Sequence, residues 1–483
     1  MHYKEQQIRA QKMIVSYDSM ISPDNPVRLI DLICKKFISE NPLKIVWKGS
    51  SSKGRKSYPA QSMLSLLVYG YFNGIASSRR MERETYRNIE MIWLMESLQP
   101  DHWTICDFRR NNEQLIKELL KSFRKFLLDG TYATGNRLVF DGSKVKAYAS
   151  RDMLKAEGIA KKLEDIDKSL AEFMSQMESN DTRDDELETA REEIRLLREK
   201  IEKLEVQKSK LESARKILET SGKKQIALND IDAVLVKGRD GKFAGYNVQN
   251  GVEPKGHFIM SNEVTTDAND LNQLGSRIER AKEDTGLSLQ ETVADCGFGN
   301  MSQIIDIEEN GIQCYVPLQA SYRDKEKEGG SVFEYDKEDD TYLCSQGKRL
   351  HLYAKKQKHH GGTYNIYKCR ECDGCPARNS CTKSKTGRIY RRNIEQERID
   401  LYKEKLKSNY SKERIAERKG IVEHPFGTIK WLMGKYNFLL KGKEKTQIES
   451  DLYTTAYNIK RLINCTDLSV LMGKVIIYNW AMA

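Results

Sequence analysis

The sequence has no long apolar run: no stretch approaches the roughly eighteen uninterrupted apolar residues of a membrane span. The opening segment, MHYKEQQIRAQKMIVSYD, is polar, so we expect neither a secretory signal nor a membrane anchor. Proline is scarce, with 9 in 483 residues, and 39% hydrophobic residues are too many for a disordered chain. We therefore expect a soluble, helix-rich cytoplasmic protein of about three domains.

Cysteine is sparse outside one short segment. Four of the ten lie close together: Cys369, Cys372, Cys375 and Cys381. The others are scattered, which excludes a disulfide scaffold and is typical of core thiols in a reducing compartment. Four thiolates suit tetrahedral zinc. The spacing is compressed, however, because Cys372 could form a Cys-x2-Cys pair with either Cys369 or Cys375. The cluster predicts structural zinc, with reduced, unligated thiols as the alternative and His359 and His360 as competing ligands.

The chain has fewer acidic than basic residues, and the imbalance is concentrated in one segment. The net charge is +11, and residues 355–420 carry 19 Lys and Arg against 8 Asp and Glu, an excess of 11. Concentrated positive charge attracts phosphate backbones through counterion release. Nucleic acid is therefore the first partner to consider, with a solvated basic surface as the alternative.

Residues 1–130 are predicted to be helical. Apolar residues recur at helical spacing between residues 59 and 98, with Arg79, Arg80 and Arg83 between two such groups. A further helix is predicted to begin at Thr104 as N-cap and to run through Phe123. Short amphipathic helices with arginines at their junctions suit a DNA-binding bundle of helix-turn-helix character, and packing alone explains the pattern equally well.

A heptad pattern sets residues 155–221 apart. Apolar residues at 3-4 spacing occupy 163–177 and 187–218, and the polar segment ESNDTRDDE interrupts them. The break favours an antiparallel coiled-coil hairpin, while the heptads equally suit a parallel dimer zipper.

Strand patterns flank this insertion. Residues 136–149 indicate a strand that carries Asp141, and DAVLVKG, FAGYNVQNGVE and HFIMSNEVTT follow Gly222 as three more. A helix around 269–284, the apolar run before Asp295, a helix at 301–309 and the strand IQCYVP come next. This order is the layout of a ribonuclease-H-like α/β domain, with a mixed sheet and helices on both faces.

The predicted domain organisation has five parts. A helical DNA-binding domain spans 1–130, and the first parts of the core span 131–154 and 222–318. The coiled-coil insertion spans 155–221. A Cys-rich basic insertion spans 319–411, with one predicted helix from Glu395 to Leu406. The C-terminal helical part of the core spans 412–483.

Three acids stand in contexts that suit metal-dependent phosphodiester cleavage. Asp141 lies in VFDGSK and Asp295 ends the apolar run in TVADCGFG, where a charge is costly unless it binds something. Glu423 lies in VEHPFGTIK, at the predicted start of a helix. Carboxylates that converge on two divalent cations can activate water and stabilise a leaving oxygen. Taken singly, each acid is equally well explained as a capping, turn or first-turn residue.

Four segments carry a family resemblance: DGSKVKAYASRD, GYNVQ, VADCGFGNMSQI and RKGIVEHPFGTIKWLMG. They resemble the DDE transposases of bacterial insertion sequences, and most closely the IS-eleven-eighty-two type, over about residues 15–462. The resemblance implies a ribonuclease-H-like core in which Asp141, Asp295 and Glu423 hold two Mg²⁺ or Mn²⁺ ions. It further implies binding to terminal inverted repeats and target DNA, cleavage, strand transfer, a homodimer on DNA, and a nucleoid location in the bacterial cytoplasm.

Lys430 lies seven residues after Glu423, two helical turns along the same face, where similar transposases use a lysine against DNA phosphate. Related families carry Arg and Tyr before the glutamate, where this chain has Lys419, next to Arg418, and Ala416. Because of this departure, the resemblance does not imply a hairpin-stabilising role at these positions, and the cleavage pathway stays open. The remaining predicted DNA contacts are Lys144, Arg79, Arg80, Arg83, Arg391 and Arg392. Two alternatives stay open: a metal-dependent nuclease without strand transfer, and a domesticated, non-catalytic DNA-binding protein.

Overall fold

The computed structural model describes residues 16–43, 45–47, 56–149, 153–181, 187–238, 241–319, 327–328, 331–359, 362–434 and 437–481. The chain is a mixed α/β protein, as predicted. It divides into two compact units: unit 1 comprises Met1–Asp270, Ser276–Leu289 and Gly420–Ala483, and unit 2 comprises Leu271–Gly275 and Gln290–Lys419. The domain boundaries predicted from the sequence stay predictions. None of the helices in the described part of the chain combines the length and apolar content that a membrane span requires.

The helices have the following bounds: α1 (Pro26–Glu40), α2 (Ala60–Phe72), α3 (Ser78–Glu84), α4 (Ile89–Leu94), α5 (His102–Asn111), α6 (Glu113–Asp129), α7 (Ala156–Asp181), α8 (Leu187–Ser221), α9 (Leu274–Thr285), α10 (Met301–Glu309), α11 (Arg378–Cys381), α12 (Gln396–Lys407), α13 (Asn409–Met433), α14 (Lys443–Cys465) and α15 (Leu468–Ile477). Short 3₁₀ helices span Asp18–Met20 and Cys296–Phe298.

The strands have these bounds: β1 (Arg137–Lys146), β2 (Val234–Gly238), β3 (Gly241–Val252), β4 (Ile259–Thr265), β5 (Glu291–Val293), β6 (Gln313–Tyr315), β7 (Lys327–Glu328), β8 (Ser331–Asp336), β9 (Thr341–Cys344), β10 (Arg349–His359), β11 (Gly362–Cys369) and β12 (Ile389–Asn393).

The N-terminal region is helical, as predicted, but one predicted helix boundary is wrong. The N-cap of α5 is Asp101, whose side chain accepts a hydrogen bond from the backbone N–H of Thr104 at 2.7 Å. Thr104 therefore supplies the capped amide and not the cap. The single predicted helix through Phe123 is two helices, because Asn112 leaves helical geometry at φ −116° and ψ 43° between α5 and α6.

α14 is the central helix of unit 1. Its residues from Ile448 to Ile459 are buried on every face, and it packs against α2, α6 and β4. Its buried polar groups have partners, as buried polar groups must. Asn458, for example, accepts from the N–H of Ile259 at 2.9 Å and donates to the same residue's carbonyl oxygen at 3.0 Å.

The sheet of unit 1 is built around β3, which pairs antiparallel with β1, β2 and β4. β3 is long and nearly all buried. This segment therefore forms the centre of the sheet and fixes the register of the strand that carries Asp141.

The two helices predicted as a hairpin, α7 and α8, pack against each other within this chain. Leu163, Ile166 and Leu170 of α7 share a core with Leu211 and Leu218 of α8. A salt bridge of 2.7 Å also joins Lys208 to Asp167. Residues 182–186, at the predicted break, lie outside the described residues.

Unit 2 contains a feature that the sequence analysis missed. Strands β7 to β12 form an antiparallel sheet in simple sequential order. Its core is aromatic and aliphatic, with Phe333, Tyr342, Leu350 and Tyr367 buried together. The sequence signal for these strands is the alternation of apolar and polar residues in segments such as RLHLYAK. The predicted helix from Glu395 is present as α12.

Candidate active site

Asp141 lies in the middle of β1, as predicted, and is half-buried. Its partner across the antiparallel ladder is Asn250 of β3. Residues two apart on a strand share a face, so Asp141, Ser143 and Val145 project from one side of the sheet, together with Asn250.

Helix α13 covers this face. A small, partly open pocket lies between the helix and the sheet. Its lining comes from both elements and from α14: Val145, Val248, Asn250, Phe426, Ile429, Met433, Phe438, Ser450, Tyr453 and Thr454. The chain after α13 returns to the end of β1, where the N–H of Phe438 donates to the carbonyl oxygen of Lys146 at 2.9 Å.

Glu423 is an exposed residue of α13. The prediction that it starts a helix is wrong, because α13 begins at Asn409 and continues to Met433. A proline two residues on is typical of a first helical turn. Here Pro425 lies inside the helix, which continues through it despite the lost amide donor.

A polar cluster that the sequence analysis missed adjoins Glu423. The hydroxyl of Tyr457 donates to the carbonyl oxygen of His257 at 2.8 Å and lies 3.0 Å from Nδ1 of His424. Because the hydroxyl proton is used on the carbonyl, Nδ1 of His424 must be the donor in the second contact. Burial lowers the pKa of His424, and the charge of Arg461 lowers it further. A neutral imidazole therefore links α13 to α14 beside Glu423.

The opposite face of β1 carries a second network. Asp270 Oδ1 accepts from Lys144 Nζ at 3.2 Å and from Asn247 Nδ2 at 2.6 Å, and Gln249 also donates to it. Lys144, predicted to contact DNA, is thus held in an ion pair with side chains only 19% and 18% exposed. The contact with DNA stays a prediction, and Asp270 is a partner that the sequence did not reveal.

Gly142 leaves room for this network, and Gly142→Ala is expected to disturb it. A Cβ at Gly142 would lie 2.6 Å from Asp270 Oδ1 and 2.7 Å from Gln249 Nε2. Both atoms are held by hydrogen bonds and must move, so we expect a loss of about 1–3 kcal/mol in the free energy of unfolding. Denaturant unfolding measures it. Gly473→Ala is the control, because nothing lies within 4 Å of that Cβ in α15. Equal effects of the two substitutions would contradict the steric argument.

Asp295 belongs to unit 2 and follows β5, which pairs parallel with β6. Its Oδ1 accepts from the N–H of Gly297 at 2.8 Å and caps the 3₁₀ helix that begins at Cys296. The capping role weighed as an alternative is therefore present. It uses one of the two carboxylate oxygens, and a role in metal binding stays a prediction.

The predicted basic contacts differ in exposure. Arg79, Arg80 and Arg83 are exposed on α3, and Arg391, Lys419 and Lys430 are also exposed, whereas Arg418 is half-buried. Arg392 is engaged within unit 2, since its guanidinium lies 3.7 Å from the ring centre of Tyr335 and donates to the hydroxyl of Tyr342 at 3.1 Å. Arg392 therefore has a structural role, and its contact with DNA stays a prediction.

The cysteine cluster lies in unit 2 around a small, partly open pocket. Burial raises the pKa of the Cys369 thiol to about 11. Within the described residues, no group of three or more His, Cys, Asp and Glu side chains is arranged to hold a metal ion. The predicted magnesium and zinc ligands therefore stay predictions.

Residues 343–463 match the family model of the transposase DDE domain, and residues 15–111 match that of a transposase domain, DUF772. Together these matches indicate an insertion-sequence DDE transposase. The DDE match includes Glu423 and begins after Asp141 and Asp295. The matches support the predicted DDE transposase and its function as a DNA transposase, and neither alternative is favoured. The IS-eleven-eighty-two type stays a prediction. As a DDE enzyme, the transposase depends on divalent metal.

No curated protein matches the transposase. Among solved structures, a piggyBac transposase synaptic complex with hairpin DNA is similar at 9% identity and a TM-score of 0.29, over 93% of this chain and 76% of that chain.

Proposed function

We propose that this transposase binds the terminal inverted repeats of an insertion sequence of the IS-eleven-eighty-two type, cleaves the DNA there and joins the ends to target DNA. The observation that carries the proposal is the packing of α13, with Glu423 inside the matched DDE domain, over the face of β1 that carries Asp141. A ribonuclease-H-like core, the predicted domain boundaries and a nucleoid location in the bacterial cytoplasm are parts of the same proposal.

The lengths of the two elements support a meeting of Asp141 and Glu423. The end of α13 lies near Lys146, because Met433 and Val145 line one cavity and Phe438 bonds to Lys146. Glu423 precedes Met433 by ten residues, a helical rise of about 15 Å. Asp141 precedes Lys146 by five residues, about 16 Å along a strand. Both carboxylates are therefore expected at the same distance from this shared end.

The chemistry of the donors fits a hard cation. Asn250, opposite Asp141, has a buried Oδ1 for which the described residues provide no hydrogen-bond partner. Carboxylate and amide oxygens are the ligands that Mg²⁺ prefers. Asp141, Glu423 and Asp295 would hold two Mg²⁺ or Mn²⁺ ions. When bound, these cations activate the attacking water or 3′-hydroxyl and stabilise the leaving oxygen.

The residues around the three acids would position the DNA and would also hold the metal-binding carboxylates in place. His424, through Tyr457, holds α13 against α14 and so fixes the helix that presents Glu423. Exposed Lys430 and Lys419 flank Glu423 on the same helix and suit contacts to phosphate oxygens. The arginines of α3 would extend the contact along the DNA, and a homodimer would hold two transposon ends.

The test uses the full-length protein with a DNA fragment that carries the inverted repeats flanking its gene. We expect Mg²⁺-dependent cleavage at the repeat ends, followed by joined products with a supercoiled target plasmid, both measured on sequencing gels. A matched fragment with scrambled repeats is the control and should remain uncut. Cleavage without joined products would favour a nuclease. Tight binding to the repeats without cleavage in Mg²⁺ or Mn²⁺ would favour a non-catalytic DNA-binding protein.

A further inference from the structure

Five cysteines, and not four, meet in unit 2. One small pocket is lined by the four thiols of the sequence cluster and by Cys344, which lies 25 residues before Cys369 in the chain. Cys344 ends β9, and the cluster follows β11, so antiparallel pairing through β10 brings the two chain segments together. The sequence gives no hint of this meeting, because Cys344 stands alone, far from the other four cysteines in the chain.

Cys344 lies in a turn that directs a backbone amide to its sulfur. Gly347, at φ +70°, donates its N–H to the carbonyl oxygen of Cys344 at 2.9 Å. The next amide, of Lys348, donates to Cys344 Sγ at 3.3 Å. This hydrogen bond fixes the position of the sulfur at the wall of the pocket.

Cys372 and Cys375 lie in a similar turn. Gly374, between them, has φ +73°, and the N–H of Cys375 donates to the carbonyl oxygen of Cys372 at 3.3 Å. The N–H of Arg388 donates to Cys372 Sγ at 3.3 Å. Each of the two sulfurs thus accepts a backbone N–H, from the same turn at Cys344 and from a residue 16 positions later at Cys372.

Cys369 differs from its neighbours. Its side chain is 2% exposed and belongs to the apolar core of the sheet, with Phe333, Tyr342, Leu350 and Tyr367. It shares a strand face with Tyr367, two residues earlier on β11. Cys344, Cys372 and Cys381 pack against the same core and, like Cys375, are only partly buried. The Cys369 thiol also shares a hydrogen bond with the Cys372 thiol. A thiol packed in this way acts as a small apolar side chain.

We propose that Cys344, Cys372, Cys375 and Cys381 bind one structural Zn²⁺ and that Cys369 is not a ligand. This set removes the difficulty of the spacing, because Cys372 and Cys375 then form a single Cys-x2-Cys half-site. Binding releases the four thiol protons and leaves a site of net charge −2, which Lys348, Arg378 and Arg388 in the cavity wall offset. Since no three of these groups already stand at metal-binding positions, the ion must draw the sulfurs together.

Zinc at this position would tie β9, the turn after β11, and α11 into one body. These elements support the strongly basic segment 355–420, so the ion would order the part of the transposase best suited to DNA phosphate. The inference refines the structural zinc predicted from sequence and does not depend on the catalytic acids.

The test is made on the purified full-length protein. In the unaltered chain we expect one zinc per chain by elemental analysis. Alkylation mapped by mass spectrometry should show these four cysteines protected until a chelator is added, with Cys369 unaffected by it. Cys344→Ser and Cys369→Ser are matched variants from one cavity. Loss of an outer hydrogen bond to a metal ligand already costs about 10–100-fold in affinity, so Cys344→Ser should weaken zinc binding at least about a hundredfold. Cys369→Ser should not change it.

Three results would overturn the proposal: no zinc in the unaltered protein under reducing conditions, unchanged zinc binding in Cys344→Ser, or an alkylation map in which the chelator exposes Cys369 and leaves Cys344 unchanged. The alkylation map uses the unaltered protein, so it still tests the proposal if the Cys344→Ser variant misfolds. The zinc measurements do not depend on cleavage or strand transfer. A negative result at this site would therefore leave the proposed catalytic function standing.

Discussion

Glu423→Gln is expected to reduce metal-dependent cleavage of repeat-end DNA by about a thousandfold or more, with DNA binding retained. The amide keeps the size of the side chain and removes the negative charge that would hold a divalent cation. Glu423 is exposed on α13, so the substitution should leave folding intact. Single-turnover cleavage in Mg²⁺ measures the first effect, and gel-shift titration with the same DNA measures the second.

Glu413→Gln is the matched control, because this residue is also exposed on α13 and lies ten residues before Glu423. It should cleave at the unaltered rate. If Glu423→Gln cleaved as fast as Glu413→Gln, the assignment of Glu423 would have to be abandoned. A parallel loss of cleavage and DNA binding in Glu423→Gln would point to a structural role.

Arg109→Leu is expected to cost about 3–5 kcal/mol in the free energy of unfolding of unit 1. Arg109 is 3% exposed and donates to the hydroxyl of Tyr71 at 2.9 Å and to the carbonyl oxygen of Ala76 at 2.8 Å. Its guanidinium lies 3.8 Å from Glu449 of α14, which is 1% exposed. Removing the cation leaves a buried carboxylate without its charge partner. Denaturant unfolding followed by circular dichroism gives the change.

Arg110→Leu provides the comparison. Arg110 also lies 3.8 Å from a carboxylate, that of Asp107, but its side chain is 35% exposed, so solvent screens the pair. We expect it to change stability by less than about 0.5 kcal/mol. Combining Arg109→Leu with Glu449→Leu should recover much of the loss, because both charges then leave the interior together. If Arg109→Leu and Arg110→Leu lost equal free energy of unfolding, burial of the Arg109–Glu449 pair would not account for the loss.

Much of the architecture could be predicted from local pattern. The strand around Asp141, the three strands after Gly222, and the helix at 301–309 are all present, because alternation and helical spacing are set by neighbours in the chain. Two helix boundaries were predicted wrongly. Thr104 has a cap-forming side chain, but Asp101, three residues earlier, takes the cap. The helix around Glu423 begins at Asn409 and continues through Pro425, although proline lacks the amide donor.

The sequence by itself determined the family, the concentration of positive charge, and the order of the three acids along the chain. Each of these is a property of residue identity and spacing. Only the tertiary structure decided which groups meet: Lys144 with Asp270, Arg109 with Glu449, and Cys344 with a cluster 25 residues away. Such pairings depend on strand register and helix packing over long separations, and these are set by burial of whole surfaces that no short motif records.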